Sequence, residues 1–424
     1  MNFVFSRYTI PLQTGFFGLL LATLPIEASP PVVLELGQAY QQILDVNLRL
    51  KSTEARICSM EGNRQQADAW PNPALEVALS DIGRGPGRDN DNDNNELFVG
   101  IVQMVETGGK RAARLRVADS SQCVADWDYE IQKKEVFAQL MHAFITMATA
   151  QEGLSLAARQ EAIAKTSLEC VRERASNGKT SKIEEIKADI AFKKAKITHA
   201  KQQTALNKAK KGLSSLWNHC PPAFDSVSYS LHELQMPPCL EILTEALDNH
   251  PALVKAMAET ANASDILALE RTQRIPNIAV QIGLSTQQFV QQPALSLGFE
   301  IPIPLFDSNQ GNIHRASCEE LEAVYDQMDL AARLKGELAE TYEEWTGAYR
   351  QAIELRDSVL PIAEESMQLA HEGYNAGQFD YLHLLDANST LFTVKEQYLE
   401  AIAEYHHKHA EVLRLTAACS CDAF

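Results

Sequence analysis

The chain has 424 residues, a formal net charge of −18 and 45 % hydrophobic content. The composition is that of a folded protein, and the length allows two or three domains. The acidity argues against nucleic acid as a partner, because a phosphate-binding face needs clustered Lys and Arg; it suits a surface or pore that meets cations.

Arg7 is the only charge in the first 26 residues, and Ile10 to Leu24 is mostly apolar. Ile26-Glu27-Ala28 follows as a weak cleavage site, so residues 1–28 are expected to be a secretory signal. Pro11, Gln13 and Pro25 interrupt the run and disfavour a retained anchor. No Cys precedes Cys58, which excludes a lipoprotein anchor on a new N-terminal Cys. Beyond residue 28 no run of about 18 apolar residues follows, and no transmembrane helix is expected.

A first unit spans 29–217. Leu75, Val77 and Leu79 alternate with Glu76, Ala78 and Ser80, a strand pattern, and 97–105 is a more apolar strand. The loop between them carries Asp89 to Glu96 and resembles a calcium loop only superficially. Its sixth position is Asn94 rather than Gly, and its twelfth is Gly100 rather than Glu; a solvated loop is expected. Arg111 to Ser176 is 66 residues of good helix formers without Pro, about 100 Å of helix. Asn177-Gly178-Lys179 is a turn, and a second helix is expected over 180–216.

A linker, 218–239, is flanked by Cys220 and Cys239. Among eight scattered cysteines these are the best disulfide candidates, with unpaired thiols as the alternative. The second unit spans 240–416, with a helix predicted over 240–274. Ile278, Val280, Ile282 and Leu284 form one alternating strand; Leu295, Leu297, Phe299 and Ile301 form another. A helix from near Gly311 towards Asn375 carries Val324, Ala331, Leu338, Trp345, Ala352 and Val359 at seven-residue steps, a coiled-coil seam. Pro361 should kink or break it. Ala376-Gly377-Gln378 is a second hairpin turn, the last helix ends near Leu415, and 417–424 is a tail.

The two units repeat one plan. Pro71 answers Pro276, Gly100 answers Gly298 and Gly178 answers Gly377, at separations of 205, 198 and 199 residues. A near-constant offset marks a duplicated unit of roughly 200 residues. The strands have the length of tilted barrel strands, with one apolar and one polar face; a soluble half-buried sheet is the alternative. His406-His407-Lys408-His409 and Cys419-Ser420-Cys421 contain metal-binding residue types. Neither has the spacing of a closed zinc site, although His406 and His409 could share a helix face. No resident metal, cofactor or catalytic constellation is assigned.

The order helix, strand, strand, long helical hairpin, made twice, resembles the TolC superfamily of outer-membrane efflux proteins. Val102-Gln103-Met104-Val105-Glu106-Thr107-Gly108-Gly109-Lys110-Arg111 and Ile301-Pro302-Ile303-Pro304-Leu305-Phe306-Asp307 resemble the strand-to-helix junctions of its cobalt–zinc–cadmium resistance branch, and the Pro-Asn pairs at 71–72 and 276–277 also fit. The resemblance implies a mainly α fold with a membrane β-barrel. In it a homotrimer builds a twelve-stranded barrel and an α-helical periplasmic tunnel. Such a protein is an exit duct rather than an enzyme. It sits in the outer membrane of a Gram-negative bacterium and docks on a periplasmic adaptor and an inner-membrane RND-type proton-driven pump. Heavy-metal cations are the expected substrates, with drugs or secreted peptides as alternatives; a soluble periplasmic coiled-coil scaffold is the reading from another class.

At the junctions, Gly108 and Gly109 let the backbone leave strand geometry, and Pro302 and Pro304 end ladder pairing. Asp307 or Asn309 can cap the next helix. Lys110, Arg111, Arg114 and Arg116 either meet anionic headgroups or form a solvated basic turn. Leu295, Leu297, Phe299 and Ile301 are expected to face lipid. Leu382 to Leu391 resembles the stretch past the second periplasmic tip, where the family's two acidic ring positions fall on His383 and Asp386. The second acid is kept and the first is His, with Asp380 nearby to compensate. The family's constricting Tyr falls on Tyr374, and Phe379 replaces a position that is often polar or basic.

Overall fold

The computed structural model describes residues 33–80, 96–178, 180–218, 224–287 and 290–416. The expected signal, the loop after Ser80, Cys220 and the Cys419-Ser420-Cys421 tail lie outside these residues.

Strand β1 (Val33–Glu35) leads into α1 (Leu36–Val46) and α2 (Leu48–Asp68). Asn47 separates the two helices. It is extended, and its Oδ1 accepts from the N–H groups of Arg49 and Leu50 at 2.9 and 3.4 Å, satisfying donors that a helix start leaves open. Strands β2 (Ala74–Ser80) and β3 (Glu96–Val105) follow, then α3 (Lys110–Ser176), 67 residues without interruption. Its partner α4 (Lys182–Ser215) returns antiparallel along it. Strand β4 (Ser226–Ser228) pairs parallel with β1, a small sheet that joins the linker to the first helix and that no sequence pattern announced.

The second unit opens with α5 (Leu240–Leu247) and α6 (Pro251–Gln273). The single helix expected over 240–274 is therefore two. Pro251 disfavours helical geometry at the preceding residue, and His250 is extended, its Nδ1 accepting from Ala252 N–H at 3.1 Å. Strands β5 (Ile278–Gln287) and β6 (Val290–Glu300) precede α7 (Gln310–Glu354), α8 (Leu360–Asn375) and α9 (Tyr381–Leu415).

Pro361 does not break the chain of helix. The five residues Leu355–Val359 form a π-helical turn between α7 and α8, where Leu360 N–H donates to Leu355 O. The α-helical acceptor for residue 361 would be the Asp357 carbonyl. Proline has no N–H to give it and its ring would crowd it; the wider turn absorbs the misfit. The heptad seam is buried in its centre, at Leu338, Trp345 and Ala352, against α6 and α9.

The four long strands form one antiparallel sheet in the order β2–β3–β5–β6. Its register places Leu75, Val77, Val99, Ile101, Ile282, Leu284, Leu295, Leu297 and Phe299 on one face, all exposed in the single chain. The other face carries Glu76, Gln281, Ser296 and a facing pair of glycines, Gly100 and Gly283. A Cβ at Gly283 would lie 2.5 Å from the Phe98 ring, so glycine there makes room for that ring. Ile301, expected within the fourth strand, lies just beyond it, because β6 ends at Glu300.

Three cores follow one another along the helices. The central one joins Ile43, Phe144, Leu213, Trp217, Val227 and Ile402. A second joins Leu253, Leu338, Trp345, Tyr405 and Leu415. The third, at the hairpin tips, joins Leu168, Val171 and Ala188 of the first unit to Ala370, Tyr374, Tyr381 and Leu384 of the second.

Candidate functional site at the hairpin tips and junctions

Both hairpins turn on a glycine in left-handed geometry. Gly178 has φ 70° and Gly377 φ 72°, a conformation that costs an L-residue about 1–2 kcal/mol. After the first turn Ser181 caps α4, and Glu184 and Glu185 occupy its first turn, where carboxylates meet the positive helix end. After the second, Gln378 N–H donates to Gly373 O at 2.8 Å. This folds Phe379 directly over Gly373, leaving no room for a Cβ there.

Asp380 caps α9. Its Oδ1 accepts from the backbone N–H of His383 at 3.2 Å and from His383 Nδ1 at 2.6 Å. The hydrogen bond from the His383 side chain is the main reason that the Asp380 carboxyl is held below its ordinary range. The His383 ring also stacks on Phe379, centroids 5.4 Å apart. Asp386 lies one turn further along α9 and is exposed. With Glu365, Leu369, Phe379, Leu382 and His383 it lines an open groove of about 680 Å³ between α8 and α9. The structure therefore places His383 and Asp386 on one groove, with Asp380 bonded to His383 beside it.

Tyr374 is buried in this chain. Its side chain is 4 % exposed and packs inside the tip core, edge-on to Tyr381. Arg174 of α3 covers the ring at 4.2 Å and donates from Nη1 to the Tyr374 carbonyl at 3.2 Å. Tyr374 does not line the groove that carries His383 and Asp386. Sequence reading missed this contact, because nothing local to Arg174 marks a partner in the other repeat.

At the strand–helix junction Gly108 and Gly109 have φ 68° and 75°, and a Cβ on Gly108 would lie 2.8 Å from Ile275. Thr107 Oγ1 donates to the Pro276 carbonyl, and Lys110 Nζ donates to Asn277 Oδ1 at 2.6 Å. The Pro-Asn pair of the second repeat thus stitches the first repeat's junction. Each basic side chain here has an intramolecular partner. Arg111 pairs with Asp68 at 2.7 Å, Arg116 with Asp265 at 3.8 Å and Arg114 with Glu106. Lys110 is buried. The arginines of the cluster are ion-paired, and the Arg111 and Arg116 side chains keep substantial exposure. At the second junction Pro302 and Pro304 follow the end of β6 in irregular chain. Asn309 occupies the cap position of α7, but its side chain donates to Glu270 at 2.6 Å, and Asp307 Oδ1 accepts from Asn309 N–H.

His406 and His409 do not share one binding point. His406 is buried, its Nε2 on the Leu231 carbonyl at 2.9 Å and its Nδ1 by the Tyr229 hydroxyl at 3.0 Å. His409 lies parallel to Trp345 at 4.9 Å. Among the described residues no group of three or more His, Cys, Asp or Glu is arranged to hold an ion, and Cys239 is an exposed free thiol.

The family described as "Outer membrane efflux protein" matches residues 39–219 and 242–418, the two halves of the duplication. The chain belongs to the outer membrane efflux protein family. Among its relatives is the cobalt-zinc-cadmium resistance protein CzcC of Cupriavidus metallidurans, 27 % identical over 399 residues, covering 93 % of this chain and 92 % of that one. The nickel-cobalt-cadmium resistance protein NccC of Alcaligenes xylosoxydans is 26 % identical over 73 % of this chain and 69 % of that one. Among solved structures the fold matches the outer membrane protein VceC of Vibrio cholerae, with a TM-score of 0.75 at 16 % identity over 90 % and 95 % of the two chains. CusC matches with a TM-score of 0.76 at 16 % identity over 91 % and 93 %. This efflux-family protein is an outer-membrane protein with a long helical portion. No described helix is long and apolar enough to cross a membrane.

Proposed function

We propose that this protein is the outer-membrane exit duct of a tripartite, proton-driven system that exports heavy-metal cations. The observation that carries the substrate class is the end-to-end match to a cobalt-zinc-cadmium resistance protein. In this reading three copies close the four-stranded sheets into a twelve-stranded barrel. The edges β2 and β6 support it, since lipid tolerates no unpaired strand edge. The uncovered stripe of Ile183, Ile190 and Ile197 on α4, at seven-residue steps, supports packing of neighbouring helices below the barrel. An adaptor and an RND-type pump in the inner membrane complete the path.

The duct has no reaction to catalyse; its chemistry is the charge at its periplasmic mouth. Threefold symmetry would bring three copies of Asp386 together. Converging carboxylates attract cations, which draws a cation toward the mouth. His383, held by Asp380, stands where the family carries a second acid.

Deleting the gene tests the substrate class: sensitivity to zinc, cobalt and cadmium should rise, with drug sensitivity unchanged. Increased sensitivity to drugs alone would overturn the metal reading.

A further inference from the structure

His142 on α3 and His407 on α9 meet in the middle of the molecule, far from the hairpin tips. Their Nδ1 atoms are 2.8 Å apart. The ring planes are 16° from parallel and the centroids 5.1 Å apart. That centroid distance is about the nitrogen separation plus two ring radii, so the rings meet edge to edge, nitrogen to nitrogen. Glu411 lies 3.5 Å from the far nitrogen of His142, Nε2. Its carboxyl is held down at about 2, chiefly by that hydrogen bond. A carboxylate behind a histidine fixes the proton on the far nitrogen and leaves the near one as a lone-pair donor. His407 is kept neutral by burial and by His142, its pKa pushed down to about 4. Both rings border an open groove of about 820 Å³ that also carries Thr146, Glu396 and Glu400.

We propose that His142 and His407 form a binding site for a divalent transition cation of the kind that favours imidazole nitrogen. With no cation, a proton on one Nδ1 bridges the pair. A cation takes its place, the proton moves to the His407 Nε2, and water from the groove completes the shell. Tetrahedral coordination at about 2.0–2.1 Å requires the two nitrogens about 3.3 Å apart and each head-on ring turned by roughly 35° toward a common point in the groove. The His142 side chain is 37 % exposed and borders the groove into which it would turn. Two nitrogens and water make a modest, exchangeable site, and the groove carboxylates raise the local cation concentration. A cation here also ties the first repeat to the second, which links occupancy to the stability of the helical bundle. The site stands on its own geometry and extends the duct reading without depending on it.

The test is zinc titration of the tag-free, full-length protein in detergent by calorimetry, with zinc X-ray absorption on the loaded sample. One zinc per chain with two imidazole ligands is expected. His142→Gln and His407→Gln should each weaken binding at least tenfold, while exposed His314→Gln leaves it unchanged. Unchanged affinity in His142→Gln, whose half-exposed side chain makes a folded variant the expected product, would overturn the site. So would an absorption spectrum with one imidazole or none. Resistance of the deletion strain decides the duct reading separately.

Discussion

Arg174 and Tyr374, 200 residues apart, clamp the tips of the two hairpins together, guanidinium over ring at 4.2 Å. A partly buried cation–π contact contributes about 0.5–2 kcal/mol. Arg174→Ala should therefore loosen the tip core by that order. Hydrogen exchange at the ends of α3 and α8 should accelerate severalfold, while the central core keeps its protection. Unchanged exchange at the tips would show that the contact does not hold them.

Glycine at the two turns is required by backbone geometry alone. A Cβ at Gly178 or Gly377 meets nothing within 4 Å, so alanine there should cost about 1–2 kcal/mol from its left-handed φ. Gly373→Ala differs, because its Cβ would strike Phe379. It should displace that ring from His383 and alter conductance in single-channel recordings. The two turn variants should leave conductance unchanged.

The apolar face of the sheet predicts a lipid-facing surface. Leu297→Arg should cost about 2–4 kcal/mol and reduce assembly in the membrane. Gly298→Arg points to the other face, where the nearest atoms belong to the movable end of Gln281, and should be milder. Equal yields of heat-resistant trimer from both variants would count against the barrel.

Asp386→Ala should weaken block of the reconstituted channel by divalent cations, since it removes the exposed carboxylate of the rim. Cation block that survives the substitution would place the constriction elsewhere.

Acid should destabilise the helical portion from its buried histidines. His250 is held at about 4 by burial and then by Lys134, and His409 at about 4 by burial and then by His406. Unfolded histidine binds its proton near 6.5. Between about pH 6.5 and 4 the unfolded state thus holds more protons, and stability is lost as pH falls. Each histidine contributes a slope of up to about 1.4 kcal/mol per pH unit. Thermal midpoints measured from pH 7 to 4 should fall accordingly, and His409→Phe should flatten the fall.

Local chemistry determined the elements. Sixty-seven helical residues free of Pro, glycines at both turns and strict alternation in three strands are legible because each depends on near neighbours in sequence. The repeat and the junction motifs were legible for the same reason, and with them the family. Tertiary structure decided what those elements touch. It turned Tyr374 into the core, gave the junction's basic residues acidic or amide partners, and set His142 against His407. It also carried the helix past Pro361 through a π turn rather than breaking it, where α9 packs along that stretch. Residues 150–270 apart in sequence meet only after the two hairpins align. No pattern within one helix carries the identity of a partner on another.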